Sequence, residues 1–123
     1  MNASTQNTQW QSVCSLEDLI PNSGIAALLP IQEQTSEHKN QQVALFWLPS
    51  EDTVFALDNY DPLSDTYLNA RGLIGDIDGE PMLATPLYKH HYRLTDGQCL
   101  ENDSVNLKIW PVKVEDNKVM ILA

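Results

Sequence analysis

The sequence predicts an all-β fold, an antiparallel sandwich or small barrel, and three observations carry that prediction. Apolar runs are short and closely spaced, prolines and glycines mark the turns between them, and Val105, Leu107 and Ile109 alternate with Asn106 and Lys108 at the two-residue period of a half-buried strand. At 123 residues the chain suits one domain, which buries roughly two-thirds of its unfolded surface and folds without staples. We expect a polar tail over 1–9, a single domain over 10–123, and within it a small subdomain over 57–100.

Taken in order, Trp10 to Cys14 reads as a first strand, and Ser15 with Asp18 three residues on suits the cap of one helical turn. Pro21 and Gly24 end that turn. The apolar run Ile25–Leu29 is closed by Pro30, and a polar loop over 32–42 separates it from Val43–Leu48, so the two runs pair as antiparallel strands. Pro49 to Asp52 makes a turn, and Thr53 to Leu57 is β-branched and aromatic enough for a third strand of the same meander. The segment from Arg71 to Pro81 is turn-rich, and Met82 to Thr85 re-enters as a strand. After Cys99, a strand over Val105–Ile109 is broken by Pro111, and Val112 to Val114, a turn over Glu115–Lys118 and Val119 to Leu122 form a closing hairpin. Trp10, Trp47 and Trp110 are expected in the core.

Charge and composition exclude several functions. Seven Lys and Arg against seventeen Asp and Glu give a net charge of −10, which repels a phosphate backbone and an anionic membrane surface alike. No apolar run approaches the roughly 20 residues that span a bilayer, and the polar N-terminus has no secretory h-region. A cytoplasmic protein is expected, with Cys14 and Cys99 as free thiols.

Site chemistry is sparse. His90, His91 and Cys99 cluster, yet the paired spacing of a zinc site is missing and adjacent histidines in extended chain face opposite sides. Cys99 reads as a buried small hydrophobe rather than a nucleophile. Asp58, Asp61 and Asp65 lack the spacing of a calcium loop, and no Gly-rich phosphate cradle joins a strand to a helix. No catalytic residue and no metal ligand is expected on this chain.

Two loop segments resemble the cluster-binding loops of Rieske [2Fe–2S] domains. Ala56-Leu57-Asp58-Asn59-Tyr60 leads into Asp61-Pro62-Leu63, and Met82-Leu83-Ala84 leads into Thr85-Pro86-Leu87-Tyr88 and then Leu94-Thr95-Asp96-Gly97-Gln98-Cys99. That family has C-x-H in the first loop and C-P-L-H in the second. The resemblance therefore puts Asp61 and Thr85 where the family has cysteines, and Leu63 and Tyr88 where it has histidines. Such a cluster needs two thiolates and two imidazoles, so these positions imply a Rieske-like sandwich that binds no cofactor, with Leu63 and Tyr88 filling the volume of the cluster.

A closer resemblance covers Trp10 to Leu122. Trp10-x-x-Val13-Cys14, Leu19-Ile20-Pro21 with Gly24, Val54-Phe55-Ala56, Asn59-x-Asp61-Pro62, Arg71-Gly72-Leu73-Ile74, Ala84-x-Pro86-Leu87 and Arg93-Leu94-x-Asp96-Gly97-x-Cys99 together look like the small subunit of bacterial assimilatory NAD(P)H-dependent nitrite reductase. This implies an accessory, non-redox subunit whose partner is the large subunit, with the flavin, iron–sulfur cluster and sirohaem carried there. Tyr60, Leu63, Tyr88, Lys89 and His90 at the loop tips are the expected partner contact, since exposed aromatic and apolar side chains are what interface centres use. A cluster-bearing electron carrier, and a free-standing interaction module for another reductase or oxygenase, remain the alternatives.

Overall fold

The structure is a computed structural model that describes residues 9–30, 40–87 and 89–123. It contains ten strands and three short 3-10 turns among those residues. The strands are β1 (Trp10–Ser15), β2 (Gly24–Pro30), β3 (Asn40–Leu48), β4 (Thr53–Asp58), β5 (Leu73–Ile77), β6 (Glu80–Ala84), β7 (His91–Arg93), β8 (Ile109–Trp110), β9 (Val112–Glu115) and β10 (Lys118–Leu122). They form three antiparallel sheets, ordered β1-β10-β9, β2-β3-β4-β8 and β5-β6-β7. No described helix is long and apolar enough to cross a membrane.

The central sheet is covered on both faces, which explains why Val43–Leu48 is apolar without alternation. Val43 and Leu45 join Leu29, Ala56, Trp110, Val119 and Ile121 in a core beneath the β1-β10-β9 sheet. Ala44, Phe46, Leu48 and Leu57 face the other way and pack with Leu83, Tyr92, Leu94, Cys99 and Leu107. The sandwich is thus a three-layer stack in which β3 serves two cores.

Several expectations are met closely. The β2–β3 and β3–β4 pairings form as a meander, and the Asp18 carboxylate accepts a hydrogen bond from the Ser15 N–H at 2.9 Å at the predicted helical turn. Asp116 and Asn117 take positive φ in the closing hairpin, the conformation a tight two-residue hairpin turn demands.

Others change. The turn-rich segment is a hairpin, because Asp78 and Gly79 both take positive φ and let β5 fold back on β6; Asp-Gly between strands is the signal for it. Val105–Ile109 forms a strand only at its end, with Trp110. Its apolar side chains do face inward at Val105 and Leu107, but its backbone changes partners along its length. Val105 O accepts from Cys99 N–H, Leu107 N–H donates to Gly97 O, and Lys108 O accepts from Asp58 N–H. Gly97 is essential to that course: at φ 79° a Cβ there would be driven into the Leu107 carbonyl.

Trp110 is buried and Trp47 half-buried, whereas Trp10 is 37% exposed and lies under the Lys113 ammonium, 4.6 Å from its ring centroid. An edge position on β1 leaves that ring only one sheet to pack on. The tail expected over 1–9 lies outside the described residues except for Gln9, which belongs to the ladder: its N–H donates to Ala123 O and its carbonyl accepts from Ala123 N–H. Most of the 32–42 loop is likewise outside them.

Candidate functional site

Strand β4 delivers the first loop, and Asp58 begins the turn by accepting the Tyr60 N–H on its carboxylate at 3.0 Å. Burial pushes the Asp58 carboxyl above its usual range. Asn59 is buried and hydrogen-bonded at both ends of its amide: Nδ2 donates to Gln42 Oε1 at 2.9 Å and to Tyr67 O at 3.0 Å, and Oδ1 accepts the Ala70 N–H at 2.7 Å. Asn69 answers it, donating through Nδ2 to Asp58 O at 3.0 Å. These two amides fix both ends of the loop to the central sheet.

Asp61 sits at the heart of the loop, almost fully buried. Its Oδ1 accepts the Tyr92 hydroxyl at 2.7 Å and the Leu63 N–H at 3.1 Å, and its Oδ2 accepts the Ser64 hydroxyl at 2.7 Å. A buried carboxylate is tolerated only when it is hydrogen-bonded in this way. Tyr92, on β7, comes from the second motif, so this one bond ties the two loop regions across 31 residues of chain. Burial and the bond to Asp61 hold the Tyr92 phenol far above its ordinary value, which keeps it a donor at every working pH. Leu63 is half-buried and packs against the core that holds Tyr92 and Cys99.

The second loop is closed by a clasp. Thr85, buried, accepts the His90 N–H on Oγ1 at 3.0 Å, while its own N–H donates to His90 O at 2.9 Å. Between them Leu87 and Lys89 are exposed, Lys89 at positive φ. Tyr88 lies outside the described residues. His91 follows with its ring Nδ1 2.6 Å from Glu101 Oε2. Burial raises the Glu101 carboxyl, and the bonds from the His91 N–H and ring outweigh it, leaving the group below its usual range.

The side chains singled out in the sequence therefore divide. Asp61 and Leu63 are joined to Tyr92, and Thr85 to His90; Tyr60 points away to Asp65, its hydroxyl donating to Oδ1 at 2.7 Å while its ring packs against Tyr67 at a tilt of 48°. His90 and His91 take separate partners, and no group of three or more His, Cys, Asp or Glu among the described residues is arranged to hold a metal ion. Cys99 is buried, and burial pushes its thiol up, which suits a core residue and not a nucleophile. Asn59, Asn69 and Tyr92 carry the site and are not singled out by residue chemistry; only the position of Asn59 beside Asp58 at a strand end signals it.

At the described positions, Asp61, Leu63 and Thr85 supply none of the thiolates and imidazoles that a [2Fe–2S] cluster takes. Both Asp61 oxygens are engaged, the Thr85 hydroxyl is committed to its own loop, and Leu63 has no donor atom.

The model of the Rieske-like [2Fe-2S] domain family matches residues 9–122. The NADH nitrite reductase small subunit of Escherichia coli K12 is 35% identical over 114 residues, covering 93% of this chain and 97% of that one. A nitrite reductase NAD(P)H large subunit from Klebsiella oxytoca is 39% identical over 112 residues, which are 91% of this chain but only 11% of that one. Among solved structures, that of the E. coli protein NirD superposes with a TM-score of 0.80 at 34% identity, covering 94% of this chain and 97% of the other.

Proposed function

We propose, from the premise that this chain belongs to the Rieske-like [2Fe-2S] domain family and within it to the nitrite reductase small subunits, that it is the accessory subunit of an NAD(P)H-dependent nitrite reductase. It supports a catalytic large subunit, does no redox chemistry itself, and works in the cytoplasm. Flavin, iron–sulfur cluster and sirohaem belong to the large subunit. One observation carries the assignment: the chain matches a small subunit over almost its whole length, and a domain of the same kind makes up a tenth of a relative's large-subunit chain. A domain found on the same polypeptide as its partner in one organism is expected to dock on that partner where the two are separate.

The geometry supports a subunit without a cluster. A cluster-bearing loop presents free thiolates and imidazoles, whereas here the first loop is wired shut through Asp61 and Tyr92. Contact with the large subunit is made at the loop tips by Tyr60, Leu63, Tyr88, Lys89 and His90. Exposed Lys89 and the partly covered Tyr60 and His90 favour that use, while Leu63 gives part of its surface to the core.

The test is co-expression with the large subunit of the same host. The chain is expected to co-purify with it, to raise nitrite-dependent NAD(P)H oxidation, and by itself to contain iron and acid-labile sulfide far below one cluster per chain. Failure to co-purify overturns the partner; stoichiometric iron and sulfide overturn the non-redox role.

A further inference from the structure

We propose that the large subunit docks on the outer face of the β5-β6-β7 sheet, an inference that rests on the assignment above and gives it a surface. The inner face of this sheet carries Ile74, Leu83 and Tyr92 into the core. Register partners share a face, so Leu73, Ala84 and His91 form one outward row across β5, β6 and β7. The Tyr92 to Cys99 bridge, with Leu100 N–H donating to His91 O, adds Leu100 as the fourth member.

The row is unusually apolar for a solvated face. Leu73 is 75% exposed, more than any other large apolar side chain among the described residues, and Leu100 is 39% exposed. Beside the row, Gly75 has no side chain and nothing stands within 4 Å of where a Cβ would be. A shallow groove of about 170 Å³ opens there, lined by Leu73, Ile77, Met82, Ala84 and His91 among others. An apolar patch rimmed by polar groups marks an interaction surface.

Charge selects the occupant. The rim carries Asp76, Asp78 and Glu80 on the β5–β6 hairpin and Glu101 beyond Leu100, while Arg93 is taken up by Asp96 at 2.9 Å and Glu80 at 3.4 Å, and His91 by Glu101. A second copy of this chain, itself at −10, would bring like charges together, so the complement is an apolar surface ringed by lysines or arginines. The large subunit supplies it, for two reasons. Ala84 and His91 flank the 85–90 loop, so the row continues directly into the loop-tip contact, and a relative carries this domain within its large-subunit chain.

The test measures the dissociation constant of the full chain for the purified large subunit by calorimetry, with circular dichroism confirming that each variant is folded. Leu73→Glu and Leu100→Glu are each expected to weaken binding at least tenfold. Leu28→Glu, 61% exposed on β2 in the central sheet, is expected to stay within twofold of wild type. Raising salt from 50 to 300 mM weakens wild-type binding several-fold. Wild-type binding with Leu73→Glu and Leu100→Glu both within twofold overturns the surface and leaves the assignment standing; a wild-type chain that does not bind overturns both.

Discussion

The two loops differ in how they are held. The 59–68 loop is secured from within, by a buried carboxylate that accepts three hydrogen bonds and by two asparagines that reach the central sheet. The 85–90 loop is secured at its neck, by Thr85 and His90, and leaves Leu87 and Lys89 in solvent. The first is internal scaffolding and the second is presentation. Substitutions at the buried Asp61 of the first should therefore act mainly on stability, and those at the exposed tip of the second mainly on association.

The largest effect is expected at Asp61. Asp61→Ala strands the Tyr92 hydroxyl and the Leu63 N–H and leaves the Ser64 hydroxyl only Thr66 Oγ1, at a cost of about 3 kcal/mol, which thermal unfolding would read as a drop of about 10 °C. A melting point within 2 °C of wild type would remove the distinction between the loops. Tyr92→Phe keeps the ring and deletes one bond to a charged acceptor; urea titration should give a loss of about 2 kcal/mol with an unchanged m value. Thr85→Val, in the second loop, removes one acceptor, and about 1 kcal/mol is expected by the same titration. If Thr85→Val costs as much as Asp61→Ala, the clasp is as structural as the carboxylate.

The smallest effect concerns pH. Glu101, held down by His91, and Asp96, held down by the Arg93 guanidinium, have folded values below their unfolded ones. Their contribution is present above the unfolded range and fades as pH falls through the folded values, below about 4.5. Asp58, raised by burial, has the opposite sign: its contribution is full below its unfolded value and is lost as pH rises through the folded one. Glu101→Gln should thus shallow the loss of stability on the acid side, measured as melting temperature from pH 6 to pH 3, and an unaltered slope would show that the His91 contact is inert.

How much of this was legible before folding depends on the range of the interaction. Strands β2, β3 and β4 were readable because apolar runs and turn residues are local, whereas Asp78-Gly79 carried an equally local hairpin signal inside a segment read only as turn-rich. Val105 and Leu107 obeyed the alternation, yet the backbone of that stretch pairs first with the 97–99 segment and then, at Lys108, with β4, because a ladder is made with whatever strand lies alongside. Asp61 could be placed in a proline-marked loop, and its resemblance to a cluster position could be seen, but its acceptor role could not.

The sequence by itself determined the all-β class, the meander and the absence of thiolates and imidazoles at the loop positions described, since residue identity and short-range pattern suffice for these. Only the tertiary structure decided that β3 serves two cores, that Asp61 is bonded to Tyr92 across 31 residues, and that Leu73, Ala84, His91 and Leu100 share one outward row. Each of those depends on which strands lie side by side and in what register, a choice made by the packing of the whole chain and written in no single segment of it.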